Sequence, residues 1–321
     1  MFYATFRCYK ILEDFLIDIS YGHKLYELFK DGDYIFRGQS SDKYQLIPSA
    51  LRPEFQEQFN KLVLSNSRDE SEFFQIDKEN HLLRDFFKNC DRYGLLIDDV
   101  QRIRRRILDK IDLSFADESE KWIPEDLWQL AALAQHYGLP TRLLDWTHDL
   151  YIGLYFSIED YLESRIVPKD TENIVLWALS VDPFLRKERS DYPLKIVKPK
   201  YHNNPNLLAQ RGLFTLWMSK IEVFKQKDIT TIDTATRVNR KPLDELLMEN
   251  PLPYVLDDET LLYKILLPAD ETKELFEYLK SLGYDASRVY PGYSGCARAL
   301  MQDYYLKAEF LNKFPVVLLS R

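Results

Sequence analysis

Two stretches of this 321-residue chain concentrate side chains able to do chemistry. In Tyr34-Ile35-Phe36-Arg37-Gly38-Gln39 an arginine stands between an aromatic residue and a glycine, and the run from Gln135 to Thr147 crowds His136, Thr141, Arg142, Asp145, Trp146 and Thr147 together. An arginine presents a planar fork of N–H donors that matches a phosphate or a carboxylate. Arg37 before a glycine therefore reads as an anion clamp, or as half of a buried Arg–Asp pair. Arg142 and Asp145 admit the same two readings, since buried ion pairs can specify a fold without meeting a ligand. His136 at a helix end can titrate near neutrality or bond a carbonyl. Trp146 can stack on a ring or fill the core, Thr147 can face a ligand or cap a helix, and Gln210 beside Gly212 can serve a ligand or its own turn.

The surrounding pattern says what positions these groups. Pro124, Glu125 and Asp126 suit a helix start, Leu127, Leu130, Ala131 and Ala134 form one apolar stripe, and Gly138 with Pro140 ends the helix. Thr141 to Trp146 reads as a short strand, after which Thr147 or Asp149 caps a helix whose Leu150, Leu154, Ile158 and Tyr161 share a face. Further strands are expected at Tyr34 to Arg37, Ile174 to Val181, Leu213 to Met218 and Leu261 to Leu267. A helix is expected over residues 10 to 30, closed by Asp31-Gly32-Asp33, and a charged helical lobe over about 54 to 134.

The Phe36-Arg37-Gly38 element together with Gln135 to Thr147 resembles the FRG domain, a family named after its Phe-Arg-Gly motif. Asn206 to Thr215 and Leu282 to Ala299 fit the same resemblance, which spans roughly residues 20 to 300. More distantly, a strand ending in aromatic-Arg-Gly, a hydroxyl residue leading into a helix, and a polar residue before Gly-x-Phe look like the three-part layout of ADP-ribosyltransferases. That comparison implies NAD as substrate. Arg37 would hold its diphosphate or ribose, Thr147 would take the middle hydroxyl position, and Gln210 would fall near the catalytic glutamate. Gln210 departs from that pattern because an amide supplies neither negative charge nor a general base. The resemblance also implies a role in bacterial conflict or phage defence.

Composition narrows the classes. Apolar residues make up 45% and charged residues 29%, as in an ordinary globule, and a net charge of -8 disfavours non-specific binding to nucleic acid. Gln101 to Arg106 is the densest basic run and reads as a solvated helix face or a phosphate site. No run of about 18 apolar residues appears, and Cys8, Cys90 and Cys296 are too scattered for a metal site and fit reduced thiols, so a cytoplasmic protein is expected. No P-loop, Rossmann, zinc-protease or serine-hydrolase motif occurs, and no bound metal is expected.

These readings converge on a single α+β domain over residues 1–321, with a curved or split mixed sheet, flanking helices and an inserted helical lobe. The expected activity is NAD-dependent ADP-ribosyl transfer or NAD cleavage. Arg37, Arg142, Asp145 and Gln210 are its catalytic candidates, and Arg37, Gly38, Gln39, Tyr44, His136, Thr141, Trp146 and Thr147 its nucleotide contacts. A macromolecular acceptor or protein partner would complete it. The alternatives are a ligand-sensing or protein-interaction module without turnover and, further off, a nuclease, for which Asp145, Glu159 and the basic run are the hints.

Overall fold

The computed structural model describes residues 4–31, 34–56, 71–105, 121–163, 165, 167–185, 191–202, 204–220, 237–252 and 260–313. The strands are β1 (Ala4–Cys8), β2 (Tyr34–Gln39), β3 (Lys121–Trp122), β4 (Leu143–Thr147), β5 (Asn173–Ser180), β6 (Leu194–Val197), β7 (Gly212–Trp217), β8 (Ser219–Lys220) and β9 (Leu262–Pro268). Seven of them form one sheet in the order β1-β9-β5-β2-β4-β7-β6, with β1 and β9 parallel and the other neighbours antiparallel. β5 lies inside the sheet because its Ile-Val-Leu-Trp-Ala-Leu run is apolar on both faces and can be buried on both.

The helices that cover the sheet are α1 (Leu12–Asp18), α2 (Lys24–Phe29), α3 (Glu72–Arg92), α4 (Trp128–His136), α5 (Leu150–Leu162), α6 (Pro205–Ala209), α7 (Leu243–Glu249), α8 (Thr272–Ser281) and α9 (Tyr293–Lys313). On one face, Phe36, Leu176 and Ile265 pack with Leu154 and Ile158 of α5 and with Leu275 and Phe276 of α8. Beside them Leu143, Phe214 and Leu216 meet Leu83 and Phe87 of α3 and Leu130 of α4. The opposite face, with Ile35, Trp146, Val175 and Trp177, is closed by Leu46 and by Leu243 and Leu247 of α7.

The sheet is split. β2 pairs with β5 from Tyr34↔Ser180 to Gln39↔Val175, and β4 pairs with β7 from Leu143↔Leu216 to Thr147↔Gly212. Between β2 and β4 a single register pair, Phe36↔Thr147, holds the halves together. From Arg37 onward the strands part, which opens a gap beside α5.

Several expectations need correction. The helix expected over residues 10 to 30 is two helices, α1 and α2, interrupted around Gly22, whose φ of 81° is a left-handed conformation that glycine adopts without steric cost. Gly32 and Asp33 of its expected closing turn lie outside the described residues. β1 and β6 were not anticipated, being short strands at the two edges of the sheet. The expected lobe holds α3, a short helix at Val100–Arg104 and the start of α4, but also β3, which pairs with β8; residues 57–70 and 106–120, including Arg106 of the basic run, lie outside the described residues. No described helix is long and apolar enough to cross a membrane. The three cysteines are free, Cys90 buried and Cys8 and Cys296 exposed.

Candidate functional site

The Phe-Arg-Gly element works through its two faces. Phe36 and Gly38 turn toward α5, which crosses β2 at close range: a Cβ added to Gly38 would stand 2.1 Å from the Gly153 carbonyl oxygen and 2.4 Å from the Ser157 nitrogen, while one added to Gly153 would stand 2.9 Å from Phe36 Cβ. Real Cβ atoms essentially never come within 3.0 Å of another heavy atom, so a side chain at either position would push the helix or its neighbours aside, and main chain blocks the way at Gly38. Arg37 lies between Phe36 and Gly38 in sequence and reaches across the gap. Its Nη1 donates to the Asp145 carbonyl at 2.8 Å and lies 3.4 Å from Asp145 Oδ2.

Arg37 is incompletely neutralised there. Its side chain is 15% exposed, its Nε is buried without a partner, and burial pulls its pKa below the ordinary arginine value, with Asp145 only partly offsetting the shift and Arg52 adding to it. A buried guanidinium with unused donor capacity calls for an anion.

Around this arginine lies a cleft of about 510 Å³, walled by Arg37, Asp145, Glu159, Gln210 and Phe214, with the end of α4 on one side and Tyr290 on another. Asp145 offers a carboxylate whose side chain is 55% exposed. Gln135 orients it, donating from Nε2 to Asp145 Oδ2 at 3.1 Å while its Oε1 accepts from the Thr141 hydroxyl at 2.8 Å. His136 forms part of the same wall, and burial lowers its pKa while Asp145 pulls weakly the other way, so the imidazole is neutral at physiological pH.

Glu159, on α5, is the second carboxylate. Its Oε1 accepts from the Tyr290 hydroxyl at 2.6 Å and from Arg298 Nη2 at 2.9 Å, and burial raises its pKa despite these partners. The guanidinium of Arg298 lies 3.9 Å over the Tyr290 ring, which fixes the pair from α9. In the sequence Glu159 stands out only as a hint of a nuclease, beside Asp145 and the basic run.

Other anticipated contacts stand elsewhere. Arg142 points away from the cleft into a buried cluster in which its Nε lies 2.8 Å from both oxygens of Glu79 and its Nη1 lies 2.5 Å from Glu72 and 2.7 Å from Ser219. Burial opposes its charge, but Glu79 and Glu72 outweigh burial and raise its pKa. Trp122 also donates to Glu79, at 2.6 Å, so Arg142 ties α3, β3 and β8 to the sheet and stands apart from the residues that line the Arg37 cleft. Thr147 is spent on the main chain, donating to the Gln210 carbonyl at 2.7 Å and accepting from the Asp149 nitrogen at 2.9 Å, while Asp149 caps α5. Thr141 is buried and its hydroxyl serves Gln135, and neither threonine lines the cleft. Trp146 is among the residues along the cleft, but its indole donates to Thr215 and packs in the core of the opposite face.

Gln210 stays on the cleft wall, its Nε2 donating to the Val289 carbonyl at 3.3 Å. Gln39 accepts from Trp177 at 2.6 Å and, with Gly38 and Tyr44, borders a second chamber of about 480 Å³ that shares Arg37 and Asp160 with the first. A third hollow of similar size, about 520 Å³, lies between α3 and α4 and is lined mainly by apolar groups such as Leu96, Ile97 and Ala132, without the converging charges of the Arg37 cleft.

Comparison with known families agrees with this geometry. Residues 32–165 match the FRG domain, and this stretch holds β2, α4, β4 and α5, the elements that build the gap. The later segments that carried the resemblance, Asn206 to Thr215 and Leu282 to Ala299, lie outside the match. They do close the cleft, through Gln210, Phe214 and Tyr290. No curated protein and no solved structure matches the chain.

Proposed function

We propose that the split-sheet cleft binds NAD or a close relative and cleaves its bond between nicotinamide and ribose, passing ADP-ribose to water or to a macromolecular acceptor. The observation that carries this reading is Arg37, a buried cation at the strand divergence with an unused donor and an exposed carboxylate beside it. A dinucleotide supplies the matching parts: phosphates for the guanidinium, and a glycosidic carbon that turns cationic as its bond breaks.

As that bond lengthens, its electron pair moves to the nicotinamide nitrogen and positive charge builds on the ribose. Asp145, held by Gln135, stabilises that charge. The acceptor oxygen then bonds to the ribose carbon and releases its proton, for which Glu159, with a pKa raised by burial, is the suited carboxylate. Gln210 bonds ribose hydroxyls without carrying charge.

Purified protein incubated with NAD, followed by nicotinamide release and thermal shift, tests the reading. Release that disappears in folded Arg37→Ala supports it; neither release nor shift from folded wild-type protein, with candidate acceptors present, sinks it. Gln210 also favours a second reading, a ligand-sensing module, because an amide stands where a glutamate is expected. That module would show saturable thermal shift with no nicotinamide released.

A further inference from the structure

The second chamber shares the Arg37 wall of the cleft but has different chemistry. Its remaining walls carry Ser40, Lys43, Tyr44 and Arg52, with Asp160 and Glu54 as the acidic groups. Arg52 Nε donates to the Ile47 carbonyl at 2.8 Å, which fixes the guanidinium plane, and its two terminal nitrogens have no hydrogen-bond or ion-pair partner among the described residues. Lys43 is exposed, and its Nζ is anchored on the Lys169 carbonyl at 2.5 Å. Asp160 does not neutralise these cations, because one of its oxygens accepts from Ser40 at 2.5 Å and the other from Arg165 at 3.2 Å. Glu54 is exposed at the rim.

Two arginine forks, one from β2 and one from the loop after it, thus border one chamber with donors to spare. A single phosphate occupies one fork bidentately, whereas two linked phosphates suit two forks. We propose that this chamber is a diphosphate subsite, in which Arg37, Arg52 and Lys43 take the paired phosphates of a dinucleotide. The inference rests on the dinucleotide reading of the cleft and gives it a direction. Phosphates lie on the Arg52 side of Arg37, and the glycosidic bond falls on the side of Asp145 and Glu159.

Titration calorimetry with inorganic pyrophosphate at low salt, on full-length wild-type, Arg52→Gln and Lys43→Glu proteins of verified fold, tests the subsite. Wild-type protein is expected to bind, with at least tenfold weaker binding in Arg52→Gln and a clear loss in Lys43→Glu, whose exposed side chain leaves the fold undisturbed. Pyrophosphate bound equally by all three, or not bound by folded wild-type protein, overturns the subsite. The two proposals fail separately. Arginine-dependent pyrophosphate binding without NAD cleavage keeps the subsite and removes the reaction, whereas NAD cleavage with an unchanged KM in Arg52→Gln keeps the reaction and removes the subsite.

Discussion

Arg37 donates 2.8 Å across the parting of β2 and β4 to the main-chain carbonyl of Asp145, the residue whose carboxylate faces the same cleft. One arginine therefore bridges the two halves of the sheet and lines the cleft between them. Its counterpart Arg142 is held by Glu72, Glu79 and Ser219 through Nε and Nη1, with two carboxylates to balance its charge.

The two arginines should separate in a mutational comparison. Arg37→Met removes a bond to a carbonyl but also relieves a poorly compensated buried charge, so the stability loss should stay near ~1–2 kcal/mol while ligand-induced thermal shift disappears. Arg142→Met strands two buried glutamates and should cost about 3–5 kcal/mol. Urea denaturation of both variants checks the order, and a larger loss for Arg37→Met would assign the structural role to the wrong arginine.

Gly38→Ala tests why a glycine follows the arginine. The new methyl would collide with the Gly153 carbonyl and the Ser157 nitrogen, and a helix main chain yields less readily than a side-chain tip. Overpacking of this kind costs about 1–3 kcal/mol or more, and because α5 carries Glu159 it should displace that carboxylate as well. A melting temperature and activity equal to wild type would show that the contact between β2 and α5 is looser than the structure has it.

What the sequence made legible follows from the range of each interaction. The strand at Phe36, the turn at Gly138 and the cap on α5 are set by neighbouring residues, and they are found where the pattern placed them. The partners of Arg142 are not local: Glu72 and Glu79 lie on α3, about 63 to 70 positions earlier, and nothing near Arg142 distinguishes a charge that will meet them from one that will meet a ligand. The hydroxyl of Thr147 is likewise taken by a distant partner, the Gln210 carbonyl, whereas the ring of Trp146 is placed by the strand itself. A five-residue strand alternates its faces, so Asp145 reaches the cleft while Trp146 is turned to the opposite core. Arg52 was passed over because its guanidinium is placed by a bond to Ile47 that no motif announces.

His136 gives the cleft a pH signature. Burial depresses its folded-state pKa below the ordinary imidazole value of 6.5, so the unfolded chain takes up a proton at a higher pH than the folded protein does. Stability from this group is fully present above 6.5 and is lost as pH falls through the folded pKa. His148, depressed by burial and by Lys198 and Arg211, acts in the same direction. The melting temperature of His136→Asn should therefore fall less steeply below pH 6.5 than that of wild type, with His148 leaving a residual slope. Parallel profiles for the two proteins would remove His136 from the account.

Glu159 sets stability against function. Its pKa is raised above 4.5 by burial, so the folded chain holds this proton to a higher pH than the unfolded chain does, and the stability it contributes below 4.5 is lost as pH rises through the folded pKa. Glu159→Gln fixes the neutral form while keeping an acceptor for the Tyr290 hydroxyl and for Arg298. At neutral pH the variant should melt at or above the wild-type temperature, and its melting temperature should change less as pH rises from 4.5. If Glu159 takes the proton released by the acceptor, the same substitution should lower nicotinamide release by about 10²- to 10⁴-fold, the usual scale of general acid–base catalysis. Thermal melts across pH, paired with turnover on the same protein, read both effects. A destabilised variant that keeps full turnover would make Glu159 a structural anchor for Arg298 and leave Asp145 as the working carboxylate of the cleft.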